Sequence, residues 1–116
     1  MFKFQDLSVY NKSVEISVAL SKEAYDFPYQ YSRLRDQLIG AVISIALNIA
    51  EGSGRYNSKE KIQFYRIAQS SAFELIAIMD IADGLGLLPK SEWCGKIEEI
   101  SKMISGLIKS KQLPNN

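Results

Sequence analysis

Between Leu38 and Ala50 the chain reads LIGAVISIALNIA, and only Gly40, Ser44 and Asn48 interrupt the hydrocarbon. A helix made of this run is apolar around most of its circumference, so it belongs inside a packed structure. The run is about 13 residues long, short of the roughly 18–20 needed to cross a bilayer. Its surroundings are therefore expected to be protein.

A thin polar thread runs through and beyond this stretch. Gln37, Ala41, Ser44, Asn48, Glu51 and Arg55 recur alternately four and three apart, which sets them along one stripe of a helix at heptad spacing. In one reading the seam is a close helix contact within the chain, because leaving a buried amide unpaired costs roughly 1–3 kcal/mol. In the other it is a ligand site or a self-association surface, since a single buried Asn can specify register and oligomer state. Gly52 and Gly54 follow at once, where a left-handed backbone would suit a helix end and a sharp reversal.

Taken in order, the pattern predicts four helices over about 6–27, 31–51, 57–83 and 89–110, within a single domain spanning residues 1–116. The first is expected to be capped by Asp6, with Leu7, Tyr10, Val14, Val18 and Tyr25 marking one face and Val9, Ile16 and Leu20 broadening it. Pro28 ends it. The third starts at the capping-box-like pair Asn57 and Glu60, and carries Ile62, Tyr65, Ile67, Ala68, Ala72, Leu75, Ile76 and Met79 at helical spacing. Phe64, Phe73 and Ile78 suggest a second buried face. Gly84 and Gly86 stop this helix and Pro89 opens the last, where Trp93, Ile97, Ile100, Ile104 and Leu107 alternate four and three apart, as in a coiled coil. The tail KQLPNN is expected to fray. Joined by tight turns, these helices make an all-α, antiparallel up-down-up-down four-helix bundle. Facing positions of helices two and three should sum to roughly 111. That sum places Ser44 near Arg66 and Gln37 near Glu74, with Ser70 and Glu74 turned to the polar thread.

Composition narrows the function. The chain of 116 residues has no histidine, which removes His-based acid–base catalysis, Ser-His-Asp and Cys-His arrangements and the usual di-iron bundle ligands. Cys94 is the single cysteine, so it has no partner for an internal disulfide, and beside Trp93 it reads as a small core residue. Glu51 and Glu74 are the only carboxylates in apolar surroundings, too little for an enzyme. No catalytic residue, cofactor or metal site is expected. Fourteen Lys and Arg against thirteen Asp and Glu give a net charge of +1, with no global case for nucleic acid. Locally, residues 55–66 hold Arg55, Lys59, Lys61 and Arg66 against Glu60, a rim for phosphate or an acidic partner, whereas residues 67–89 hold Glu74, Asp80 and Asp83. Lacking a leader-like N-terminus or a membrane-length run, the chain is expected to be soluble and cytoplasmic.

From Ser44 to Arg55, SIALNIAEGSGR resembles the four-helix-bundle proteins encoded within intervening sequences of bacterial 23S ribosomal RNA genes. Asn48, Ile49, Ala50, Glu51, Gly52, Gly54 and Arg55 match that family's core motif. Similarity continues through DLSVYNKSVE from Asp6, Phe27 and Pro28, Gln37 and Leu38, SSAFEL from Ser70, and LGLL from Leu85. The resemblance implies a four-helix bundle assembled as a ring-like homopentamer, without established enzymatic activity. It also implies kinship with the accessory variability determinants of diversity-generating retroelements, which bind a reverse transcriptase and nucleic acid through a strongly basic surface. Here Ile39 and Gly40 stand where the family often has an arginine pair.

The chain is thus expected to be a non-enzymatic, homo-oligomeric adaptor or accessory factor that partners itself. Ala41, Ser44, Asn48, Glu51, Gly52, Gly54 and Arg55 are its candidate interface and turn residues. The rival reading is a nucleic-acid-binding accessory protein, partnering ribosomal or retroelement RNA or a reverse transcriptase through Arg55, Lys59, Lys61 and Arg66.

Overall fold

The computed structural model describes residues 2–112. Within them lie four helices, α1 (Ser8–Tyr25), α2 (Ser32–Ser53), α3 (Ser58–Gly84) and α4 (Lys90–Gln112), two short 3-10 turns, and no strand. The four helices form an elongated body of 53 × 25 × 20 Å. Among the described residues no helix is long and apolar enough to cross a membrane.

The helix ends follow local chemistry, with departures from expectation. Asp6 lies in the 3-10 turn Lys3–Asp6, and α1 starts at Ser8 with no side-chain cap. At the start of α3 the Asn57 carbonyl oxygen accepts the Glu60 amide at 2.8 Å, which satisfies one of the free donors of the first turn. Neither Gly52 nor Gly54 is left-handed. Instead α2 runs on to Ser53, and the Gly54 amide bonds to the Ala50 and Glu51 carbonyls at 3.2 Å. Gly86, at φ 73°, is the one left-handed residue among those described. There the Leu87 amide reaches the Ala82 carbonyl at 2.9 Å and the Gly86 amide reaches Asp83 at 3.0 Å, the paired bonds that close a helix through a left-handed glycine. The Asp83 carboxylate then accepts the Lys90 amide at 3.1 Å, fixing where α4 begins. Of the tail expected to fray, Lys111 and Gln112 are helical and residues 113–116 lie outside the described residues.

The apolar run does become the centre of the molecule. Leu38, Val42, Ile45 and Ile49 of α2 have no exposed surface, and around them close Leu20, Tyr65, Leu75, Met79, Ile97 and Ile104. The stripe expected to bury α1 is displaced. Val9, Ser13, Ile16, Leu20 and Ala24 face inward, whereas Val14, Val18 and Tyr25 are exposed. The buried serine explains it: Ser13 donates to the Val9 carbonyl at 2.7 Å, and Ser17 donates to the Ser13 carbonyl at 2.7 Å and to the Val42 carbonyl of α2 at 3.1 Å. Small hydroxyls bonded to backbone let the two helices approach closely. The second buried face expected of α3 also splits, since Ile78 is buried and Phe64 half-buried but Phe73 is exposed.

The facing of α2 and α3 departs from the expected sum by one to two turns. Ser44 meets Ser71, not Arg66, and Ser53 meets Tyr65. The serine hydroxyls bond across the seam and Gly52 seats the Tyr65 ring, so the two helices are pinned in this offset register. Ser70 and Glu74 are consequently exposed. Keeping a carboxylate in water avoids the desolvation that burial would impose.

Candidate functional site

Ser44 and Asn48 of the polar thread are bonded within the chain, whereas Gln37 is exposed. The Ser44 and Ser71 hydroxyls are 2.8 Å apart, and the Asn48 amide donates to the Ser44 carbonyl at 2.8 Å and its hydroxyl at 3.0 Å. Ala41 is buried beside them. A Cβ on Gly52 would stand 2.9 Å from the Tyr65 ring, 3.0 Å from the Phe64 Cβ and 3.1 Å from the Lys61 carbonyl. Glycine here serves contact between helices, not an unusual dihedral angle.

The turn after α2 is fastened from both sides. Arg55 donates to the Glu51 carboxylate at 2.8 Å while its guanidinium lies 4.7 Å from the centre of the Phe64 ring, an arrangement favoured by the ring's negative face. Across the turn, the Lys61 ammonium donates to the Ser53 carbonyl at 3.0 Å, and the Ser53 and Tyr65 hydroxyls sit 2.9 Å apart. The cation therefore satisfies a carbonyl at the C-terminal end of α2, where the helix dipole is negative. Glu51 and Gly54 are exposed and Arg55 is half-buried.

One position round from the thread, α2 offers an apolar surface that sequence reasoning did not single out. Leu47 is 63% exposed and Ile43 38%, and beside them on α1 lie Val18 at 51% and Val14 at 37%. Together with Tyr10, Ala46 and the serines Ser17 and Ser21 they line a shallow groove of about 430 Å³ between α1 and α2. The signal was present in the sequence. A helix apolar on nearly every side has more hydrocarbon than one buried face can use, and α1 carries an apolar stripe beyond its core stripe. On α3, Ile67, Phe73 and Ile81 are exposed as well.

The basic rim gathers more cations than its own segment supplies. Lys59 and Arg66 are exposed on α3. Burial pushes the Lys61 ammonium below its usual pKa, and repulsion from Lys111 at the end of α4 pushes it further. The sequence could not join Lys111 to this rim, because only folding brings the last turn of α4 beside the first turns of α3. Chemistry elsewhere is sparse. Burial, followed by the charge of Asp80, pushes the half-buried Cys94 thiol above its ordinary pKa, which disfavours the nucleophilic thiolate. Among the described residues no three of Cys, Asp and Glu stand together as a metal site would require.

Four helices stitched at one seam by small hydroxyls and a glycine contact, with hydrocarbon left over outside, define a four-helix-bundle protein. Residues 5–106 match the model of the 23S rRNA-intervening sequence protein family, and the chain belongs to that family. A comparison with curated proteins gave no match.

Proposed function

We propose that this protein is a non-enzymatic, self-assembling helical scaffold, an up-down-up-down bundle that closes into a ring-like homopentamer and acts as an adaptor or accessory factor. The observation that carries the reading is the exposed apolar surface of Val14, Val18, Ile43 and Leu47. Hydrocarbon left in water on two adjoining helices is a surface that association would cover. Closing a ring needs two different patches, one on each neighbour, and the exposed Ile67, Phe73 and Ile81 of α3 supply the second. The seam residues Ala41, Ser44, Asn48 and Gly52 act indirectly, by holding α2 and α3 at the spacing that presents both patches.

Light scattering after gel filtration tests this. Five chains of 13.0 kDa give a particle of about 65 kDa, and Leu47→Glu combined with Val18→Glu reduces it to the mass of one chain with helix content unchanged. A wild-type chain that elutes at single-chain mass at every concentration refutes the reading.

A further inference from the structure

Two helices that meet loosely leave room between them. α1 and α4 enclose a cleft of about 360 Å³, within the span of about 300–1,000 Å³ over which proteins hold small molecules. Ile16, Ala19, Trp93 and Ile100 make its apolar interior, and Lys12, Glu15, Lys96 and Glu99 stand exposed at its rim. Trp93 is only 5% exposed, and its indole N–H, closed to water, has no acceptor. A buried donor without a partner is costly, and in a native structure it calls for a cause. The other such donor among the described residues, Arg55 Nε, belongs to a guanidinium already bonded to Glu51, whereas the N–H is the only donor an indole has.

The charges of the rim are only half used. Lys12 bridges to Glu99. Lys12 and Glu15 stand three apart on α1, as do Lys96 and Glu99 on α4, so in the up-down bundle proposed above the register that seats Lys12 on Glu99 sets Glu15 opposite Lys96. Among the described residues neither of these has an ion-pair partner, and the Lys96 ammonium instead stands 5.3 Å from the centre of the Trp93 ring. One cation and one anion are thus left at the mouth of an apolar cleft whose rim has no net charge, with an unused donor inside. A ligand that answers all three features carries a carboxylate, an ammonium and hydrocarbon. We propose that the cleft is a binding site for a free α-amino acid with an aliphatic side chain. Its carboxylate draws Lys96 off the indole ring and takes the Trp93 N–H, its ammonium pairs with Glu15, and its side chain lies on Ile16, Ala19 and Ile100. The site does not depend on the self-assembly reading.

Trp93 is the single tryptophan, so its fluorescence reports on the cleft directly, and isothermal titration calorimetry of the same full chain gives a second readout. L-Leucine is expected to change the emission saturably, with a Kd below about 1 mM. Isocaproate, the same skeleton without the ammonium, and isopentylamine, which lacks the carboxylate, bind about tenfold more weakly, because each leaves a charge-assisted hydrogen bond unmade. Lys96→Gln costs leucine about tenfold and leaves isopentylamine unaffected, whereas Glu15→Gln costs leucine the same and leaves isocaproate unaffected. A merely structural effect of either substitution would not follow the ligand's charges in this way. Ala19→Leu fills the cleft and abolishes binding while helix content holds. Leucine that gives neither a saturable emission change nor heat overturns the site. Isocaproate or isopentylamine binding as tightly as leucine overturns the amino-acid assignment, and an Ala19→Leu chain with wild-type affinity moves the binding elsewhere and overturns the proposal.

Discussion

The contact of α2 with α3 and that of α1 with α4 are opposite solutions to packing two helices. At the first, Gly52 lets the Tyr65 ring and the Lys61 carbonyl approach to distances at which a Cβ would collide, and every hydroxyl named along the seam has a bonded neighbour. At the second, the helices touch far less and leave a cleft of about 360 Å³ floored by Ile16, Ala19, Trp93 and Ile100. The rims are bridged at the surface by Lys12 and Glu99. Beneath them Trp93 is only 5% exposed, yet its indole N–H has no acceptor. Chain connection accounts for part of the contrast. A turn of a few residues delivers α3 onto α2, whereas contact between α1 and α4 closes a far longer loop. The tight seam therefore sets the shape, and the loose one has room to adjust.

The sharpest way to break this contrast is to add carbon at each place. Gly52→Val drives two methyls into Tyr65 and Phe64, and backbone at Lys61 cannot yield as a flexible side chain can. Overpacking of this kind typically costs 1–3 kcal/mol, and the value expected here is about 3 kcal/mol. Urea unfolding would measure it, and a cost below about 1 kcal/mol would mean that the seam is not close-packed. The same operation in the cleft has the opposite sign. Ala19→Leu places added hydrocarbon against Ile16, Trp93 and Ile100, and filling a void in this way commonly gains 0.5–2 kcal/mol. A gain of about 1 kcal/mol is expected, and a loss would show the cleft too narrow to take the added carbon.

How much of this was readable beforehand depended on whether the deciding contact was local. The run from Leu38 to Ala50 announced an interior helix because its composition alone excludes a solvated face. Asn57 announced the start of α3 because its partner Glu60 is three residues away. Gly52 reads in the sequence as a conformational glycine, because the true reason for it, the Tyr65 ring, lies on another helix and leaves no mark nearby. The apolar positions of α1 are visible in the sequence, but periodicity assigns Val14 and Val18 to the core, because it finds an apolar stripe without saying what covers it. Ser13 is the complementary case: its hydroxyl bonds to its own helix, so a polar letter hides a buried residue. For the basic rim, the share of Arg55 to Arg66 is contiguous and visible, whereas that of Lys111 arrives through the fold.

The smallest effect concerns the bridge over the cleft. Lys12 and Glu99 are each about half exposed, at 46% and 54% of their side chains, and exposed ion pairs contribute between nothing and about 1 kcal/mol because water and salt compete for both charges. Lys12→Gln should therefore shift unfolding by less than about 0.5 kcal/mol, with the difference vanishing in 1 M salt where the screening length falls to about 3 Å. Hydrogen exchange is the more telling measurement. If the pair is a surface latch over an underpacked contact, its loss speeds exchange in α1 and α4 selectively and leaves the α2 amides unchanged. Uniform acceleration across all four helices would instead make α1 and α4 part of one cooperative unit with the rest, and the contrast between the two contacts would then be one of geometry without a counterpart in stability.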